Sequence, residues 1–378
     1  MRVELKIGSD IFREWARINI NLHLNSIASD FTLEAKITEQ NSKVFNVIKP
    51  TECEVWLVDE AKGINEKLIT GLIMNVGRAT QKVPTLATIT GMSKAGILIK
   101  ESMPPELYPL QYVKVSLAEI ARGICNHYNL ALNIHPGAVN DANKIYDNVE
   151  CKPSESIYNF LARISRERGI TISHTNEGDL FIYKIVNITE ASSTITQEDM
   201  HIRMGVAPDG QEVHSRCMAI KGSDIEFDRI EGSSRSDTGI RQAIVNSPFL
   251  PSITISKTDP NNKDRKITKQ IQTTRTVVAE ETEGENLNSL AEQELAMEAR
   301  AFPINIDKQG WDFDGRIVRA GFYLMVEAPD LLLKMTKMVV EHMNFSKDGN
   351  STEFLSFSTV LPCVYTGKLP SESPFKNV

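Results

Sequence analysis

Several things are missing from this sequence, and each absence removes a class of function. No apolar run approaches the ~20 residues that span a bilayer, and the opening "MRVELKIGSDIFREW" alternates and is broken by charges, so neither a membrane helix nor a signal peptide is expected. Cysteine is sparse and odd in number: five in 378 residues, at Cys53, Cys125, Cys151, Cys217 and Cys363. That usage gives no disulfide framework and fits reduced thiols in a protein made in a cytoplasm. Positive charge is also short. With 42 Lys and Arg against 49 Asp and Glu the formal charge is -7, which argues against stable binding to a phosphate backbone.

Reactive groups can be tested in turn. Ser93, in Gly91-Met92-Ser93-Lys94-Ala95, follows a strand as a nucleophile elbow does, but the second glycine is displaced to Gly96, so a strand-to-helix turn is expected. Cys125 and His127, with His135 nearby, lack paired-ligand spacing, and Cys125 reads as a packed thiol. His23, His174, His201, His214 and His342 stand alone, and Glu341-His342 lacks the second histidine of a zinc helix. Asp259 and Asn261 begin like a calcium loop, but Asp264 replaces the turn glycine and Gln270 the bidentate glutamate, so a solvated loop is expected. Gly367-Lys368 has Pro362 where a phosphate loop needs its first glycine. Glu280, Glu281 and Glu283 lie in an exposed acidic run. The expectation is a chain with no catalytic, cofactor-binding or metal-binding residues and no enzymatic activity.

What is present is pattern. The length implies about two to four domains. Residues 1–102 read as strands separated by turn clusters, an all-β module. Pro104, Pro105 and Pro109 mark a change to helical spacing. In "SLAEIARGICNHYNLALNI" Ser116 and Glu119 form a capping box before the stripe Leu117, Ile120, Ala121, Ile124 and Tyr128. Shifted by forty residues, that stripe falls on Ile157, Phe160, Leu161 and Ile164, and Asn129 falls on Gly169, the expected helix stop. Ser154 is the expected cap of the second helix, and Asn176-Glu177-Gly178 the turn between strands 170–174 and 179–185. Two helix-then-strand units thus make a small α/β domain at 103–200.

From 201 to 365 β patterns return, with a polar tract at about 224–269 read as a long connection, a helix at about 287–300, and a closing hairpin through Asp348-Gly349. Residues 366–378 form a tail. "KLITGLIMNVGRATQKVPTLATITG" and "LLKMTKMVVEHMNFSKDGNSTEFLSFST" share a long apolar strand, a polar turn and a Thr/Ser-bearing return strand, as a duplicated β module would. The fold class expected is β-rich α+β, with two similar β-barrel-like domains flanking the small α/β domain.

The ordered set of "TGLIMNV", "ATITGMSKAGILIKES", "KPSESIYNFLARISRERGITISHTNEGDLFIYK", "RCMAIKGS" and the stretch from "GWDFDGRIVRAGFYLMVEAPD" to "STVLP" resembles the baseplate hub proteins of contractile phage tails. The likeness is to the Mu-like tail protein, related to the T4 baseplate hub, the P2 late-control tail protein and the hub half of type VI secretion spikes. It implies a homotrimer whose chains each supply two tube-forming β domains, giving a pseudo-sixfold ring. Such a ring would join a hexameric tail tube to a trimeric central spike in the virion baseplate, assembled in the bacterial cytoplasm. The partners implied are the tube, spike and other baseplate proteins and the tape measure protein, with double-stranded DNA passing transiently. The alternatives are a type VI-like spike hub and a tail-associated cell-wall hydrolase.

Overall fold

The computed structural model describes residues 1–37, 45, 49–77, 86–166, 168–184, 193–196, 200–204, 213–221, 242–250, 253–259, 262–279, 287–313, 315–331, 333–349 and 352–375. Alternating sequences build the first part. β1 (Arg2–Ile7), a short β2 (Asp10–Phe12), β3 (Arg17–His23), β4 (Asp30–Lys36), β5 (Thr51–Asp59), β6 (Ile64–Gly77) and β7 (Leu86–Ser93) follow one another. Pairing is antiparallel, and the register Ile18↔Leu33 and Ile20↔Phe31 puts the apolar residues of β3 and β4 on one face.

After β7 the chain turns through a 3-10 segment into α1 (Ile97–Lys100), then β8 (Gln111–Ser116), α2 (Leu117–His127), β9 (Leu132–Ile134), α3 (Val139–Ala142), β10 (Ile145–Glu150), α4 (Ile157–Arg166), β11 (Thr171–His174) and β12 (Leu180–Tyr183). The forty-residue repeat is real at the level of single hydrogen bonds. Ser116 Oγ accepts from the Glu119 N–H at 3.2 Å, and Ser156 Oγ from the Asn159 N–H at 3.2 Å. Asn129 and Gly169 both take positive φ, 53° and 61°. The helix-closing bonds Leu130 N–H to Cys125 O and Ile170 N–H to Ser165 O are also forty residues apart. The cap of α4 is therefore Ser156 and not Ser154. Ser154 has φ 68°, a left-handed position in the preceding turn, while Ser156 stands one residue before the helix as a cap must.

The apolar stripes of α2 and α4 meet in one core with Leu130, Tyr146, Ile172, Leu180 and Ile182, and Ile27, Ala95 and Leu98 join it. The hairpin turn reaches β6: the Thr70 N–H donates to Asn176 O at 2.9 Å and the Ala95 N–H to Gly178 O at 2.8 Å. The loop after β3 is gripped as well. Leu24 O, Asn25 O and Ser26 O accept from Tyr183, Tyr158 and Ser173 hydroxyls.

β13 (Ser193–Thr196), β14 (His201–Met204), β20 (Ile304–Gln309), β21 (Tyr323–Ala328), β22 (Leu333–Asp348) and β23 (Phe354–Val360) then repeat the first sheet. In space the first set runs β3-β4-β7-β6-β5-β1 and the second β14-β20-β23-β22-β21-β13. Numbered by position along the chain, each is 2-3-6-5-4-1. The duplication expected from two hairpins extends to all six strands, which matching patterns in two of them could not reveal.

The chain divides into two units. One holds Met1–Arg203, Asn305–Met325 and Met338–Thr359, the other Met204–Ile304, Val326–Lys337 and Val360–Val378. In the second, β15 (Arg216–Lys221) lies between β16 (Gln242–Asn246) and β19 (Thr274–Ala279), and α5 (Leu287–Glu298) packs Ala291 and Leu295 against Cys217 and Ala219. A short α6 (Cys363–Thr366) follows β23. The tract read as a polar connection contains β16 and the antiparallel hairpin β17 (Ile253–Asp259) and β18 (Asn262–Ile271). Its alternating "ITISKT" and "KITKQI" carry strand periodicity that overall polarity conceals.

Candidate functional site: a polar sheet face

Cross-strand partners in an antiparallel ladder share a face, so the register assigns one side of the joined sheet. The β22–β3 ladder pairs His342↔His23, Asn344↔Asn21, Ser346↔Asn19 and Asp348↔Arg17. β3–β4 continues it with Asn21↔Asp30, Asn19↔Thr32 and Arg17↔Glu34, and β4–β7 with Thr32↔Thr90 and Glu34↔Thr88. All of these are polar, and apolar residues enter the same alternation only at the ends of the β4–β7 ladder, where Met92 pairs with Asp30 and Leu86 with Lys36. The other side carries Ile18, Ile20, Leu22, Phe31, Leu33, Met343 and Phe345, all buried.

The polar face is stitched together. Asn344 Nδ2 donates to Asn21 Oδ1 at 2.7 Å and also to Asn19; Asn21 Nδ2 donates to Asp30 Oδ1 at 2.8 Å. Arg17 donates to Asp348 at 2.8 Å and to Glu34 at 3.4 Å. The His23 and His342 rings lie 4.5 Å apart, with Asp30 Oδ2 3.5 Å from His23. Burial and the neighbouring His23 hold the His342 pKa below its ordinary value. Burial would raise that of Asp30, but hydrogen bonds from His23 and Asn21 more than offset it and leave it lowered. A shallow groove of about 610 Å³ follows this face along Arg17, Asn19, Thr32, Glu34, Asn344 and Asp348. Farther along, Arg203 on β14 pairs with Asp307 on β20 at 2.6 Å. Chemically this is a polar surface of amides, hydroxyls, carboxylates, a guanidinium and two imidazoles, many of them hydrogen-bonded to one another.

The groups singled out in the sequence sit elsewhere or are occupied. Ser93 is buried, its hydroxyl accepting from the Ser29 N–H at 2.7 Å and donating to Ser29 O at 3.1 Å, within the strand-to-helix turn expected there. Cys125 is buried in the α2 core with its thiol pKa pushed up by burial to about 12, while His127 and His135 are exposed and His135 Nδ1 accepts from the Gly137 N–H. His174 Nδ1 lies 3.2 Å from Ser26 O, and burial lowers its pKa to about 4. His214 pairs with Glu298 at 2.8 Å, and Arg275 bridges Glu298 and Glu294 on the buried side of α5. Those two acids are buried on the helix beside Ala291 and Leu295. Glu341-His342 lies in a strand, so no zinc helix forms. Gly367, with φ 66°, ends the four-residue α6. Asp259 and Gln270 belong to the β17–β18 hairpin, correcting the expected solvated loop, and Asn261 and Glu280, Glu281 and Glu283 lie outside the described residues. Among the described residues no group of three or more His, Cys, Asp or Glu could hold a metal, and no helix is long and apolar enough to cross a membrane.

A β-rich chain with a repeated sheet and a small α/β module defines an architecture known from phage tails. Residues 95–184 match the family model for the second domain of gp44-like baseplate hub proteins. Over the whole chain the fold is that of the 43 kDa tail protein of prophage MuSo2 from Shewanella oneidensis, at 17% identity and TM-score 0.69, covering 97% of this chain and 100% of that one. It is equally that of a tail protein from Neisseria meningitidis MC58, at 14% identity and TM-score 0.70, covering 98% and 99%. An E. coli component of the type VI secretion system, structurally similar to T4 tail proteins, is more distant, at 9% identity and TM-score 0.51, covering 97% and 79%. No curated protein sequence matches. Residues 95–184 thus match a baseplate hub domain model, within an overall fold shared with prophage and bacterial tail proteins.

Proposed function

We propose that this chain is the structural hub of a contractile-tail baseplate, a homotrimer that adapts a hexameric tail tube to a trimeric central spike. The observation that carries this reading is the six-strand order 2-3-6-5-4-1, present twice in one chain. Three copies of a duplicated module present six similar faces to one partner while keeping threefold symmetry for the other. The polar sheet face lines the axial channel through which DNA passes. On the β22–β3–β4 part of that face Asp30, Glu34 and Asp348 stand against Arg17 and Lys36, an acidic balance that gives phosphates little net positive charge to pair with and disfavours trapping of the duplex by counterion release. The thiols and histidines have structural roles, and the chain is not an enzyme. Native mass spectrometry tests the assembly: three chains of 42.2 kDa give 126.6 kDa, and a monomer persisting at micromolar concentration refutes it. Salt-sensitive retention of duplex DNA by the trimer would overturn the acidic wall.

A further inference from the structure

Three parts of the first unit meet at one loop. The chain leaves β3 at His23, runs through residues 24–29 and enters β4 at Asp30. The second strand set holds the start of that loop, where the Leu24 N–H donates to Glu341 O on β22 at 2.8 Å. The α/β module holds its middle: the Ser173 hydroxyl and His174 Nδ1 lie 3.3 and 3.2 Å from Ser26 O. The first set closes it, the His23 N–H donating to Ser29 Oγ at 3.1 Å. Each part also places a histidine at this joint, His23 on β3, His342 on β22 and His174 on β11. His23 and His342 are partners at the end of the seam that joins the two sets, their rings 4.5 Å apart and tilted by 30°. His342 and His174 both lie near enough to His23 for a charge there to disfavour a charge on either.

Pairing does not need these rings. The next position along the seam is filled by a pair of amides, Asn21 and Asn344. What histidine adds is a charge that appears only in acid. Among the described residues the charged groups facing the rings are Asp30 on β4, 3.5 Å from His23 Nε2, and Glu341 beside His342 on β22. The other neighbours, Asn21, Asn344, Tyr158, Ser173 and Tyr183, stay neutral where imidazole titrates. Two carboxylates therefore face three imidazoles, and full protonation leaves unbalanced positive charge in a half-buried place. In the closed joint burial lowers the His174 pKa to about 4 and holds that of His342 below its ordinary value. Opening hydrates the rings and returns them to about 6.5, so protons bind the open joint in preference. We propose that the joint is an acid-operated release: on protonation loop 24–29 lets go of the α/β module and the His342 end of β22 parts from β3, while both strand sets and the module stay folded. The opening is local because the rest of the seam, through Asp348, keeps Met343 and Phe345 on its buried side.

Peptide-resolved hydrogen exchange of the full-length protein at pH 7.5 and 5.0, with times scaled for the intrinsic exchange rate, tests it. Between these pH values the lowered pKa of His174 alone raises the open population at least about ten-fold, after allowance for its partial exposure. Amides of residues 20–29 and 338–344 should lose protection by that factor relative to those of α2 and α4. The loss should be much smaller in His23→Gln/His174→Gln/His342→Gln. Asp30→Asn keeps an acceptor for the Asn21 amide but removes the carboxylate that balances His23, so it should enlarge the acid response. That variant carries the test if the triple one fails to fold. His127→Gln, on the exposed side of α2, should leave the response unchanged. Equal loss of protection in α2, α4 and the joint would mean global unfolding and overturn the proposal. A joint unchanged at pH 5.0, a full response in the triple variant, or one that Asp30→Asn does not enlarge would overturn it too.

Discussion

The first strand set and the second share an order but not their connections. In the first, β3 and β4 are joined by the short loop 24–29, which the α/β module grips through Tyr158, Ser173 and Tyr183. In the second, the same two positions, β14 and β20, are separated by the stretch that holds β15 to β19 and α5. Sheet order thus tolerates an insertion of domain size at one turn, because the pairing partners are fixed by facing apolar residues and not by loop length. Where the two sets pack against different neighbours, their side chains diverge. Position 71 is Gly in the first, where a Cβ would stand 2.1 Å from Met92 O, while its counterpart is Val340, wholly buried. Gly71→Val, which copies the second set into the first, should therefore be the most damaging change, at least about 3 kcal/mol, because backbone and not a movable side chain is in the way. Urea unfolding measures it, and a loss below about 1 kcal/mol would mean the two sheets are interchangeable at that position.

The grip on the first set's loop also has a pH dependence, through His174 beside Ser26 O. His174 is neutral in the fold because burial lowers its pKa to about 4, against about 6.5 in an unfolded chain. As pH falls below 6.5 the unfolded state takes up the proton first, so stability falls, and the loss is complete once pH passes below about 4. The shift corresponds to about 3 kcal/mol, discounted to about 2 because the ring is partly open to solvent. His342, also lowered by burial, acts in the same direction. Asp30 and Glu155 have lowered carboxyl pKa values and lose their contribution only at more acid pH, below the ordinary carboxylate range. Urea midpoints at pH 7.5 and 4.5 should differ in the native protein and differ much less in His174→Gln; equal slopes would sink the assignment.

Caps give a smaller and sharper comparison. Ser116→Ala and Ser156→Ala should each cost about 1 kcal/mol, with Ser116 the larger because Glu119 also accepts from its N–H, at 2.8 Å, completing a capping box. Ser154→Ala should cost nothing measurable. Much of this was legible beforehand. The apolar stripes of α2 and α4, their stops at Asn129 and Gly169, and the turn at Asn176-Glu177-Gly178 all follow from local chemistry. Ser154 was misread because a serine and an acid before an apolar stripe satisfy the cap pattern at more than one position, although the forty-residue shift from Ser116 already pointed to Ser156. The polar sheet face was not legible. Its members come from strands separated by up to 331 residues, as in Arg17 with Asp348, and only the register brings them to one side. Nor was the buried pair Glu294 and Glu298 legible, since its partners His214 and Arg275 lie on other elements.

The smallest effect expected is where β22 pairs with β3 and joins the two strand sets. Arg17 and Asp348 form its most obvious link, at 2.8 Å, but their side chains are 54% and 75% exposed. Exposed pairs of this kind are worth between nothing and about 1 kcal/mol, because solvent screens them and holding two long side chains costs entropy. What holds β22 to β3 is the ladder from His342 to Asp348 together with Met343 and Phe345 on its buried side. Asp348→Asn should therefore shift stability by less than about 0.5 kcal/mol, whereas Phe345→Ala should cost about 3 kcal/mol or more. Thermal unfolding of the two variants side by side separates the contributions. A large loss on Asp348→Asn would mean that charge, and not the ladder with its buried apolar side, holds the seam.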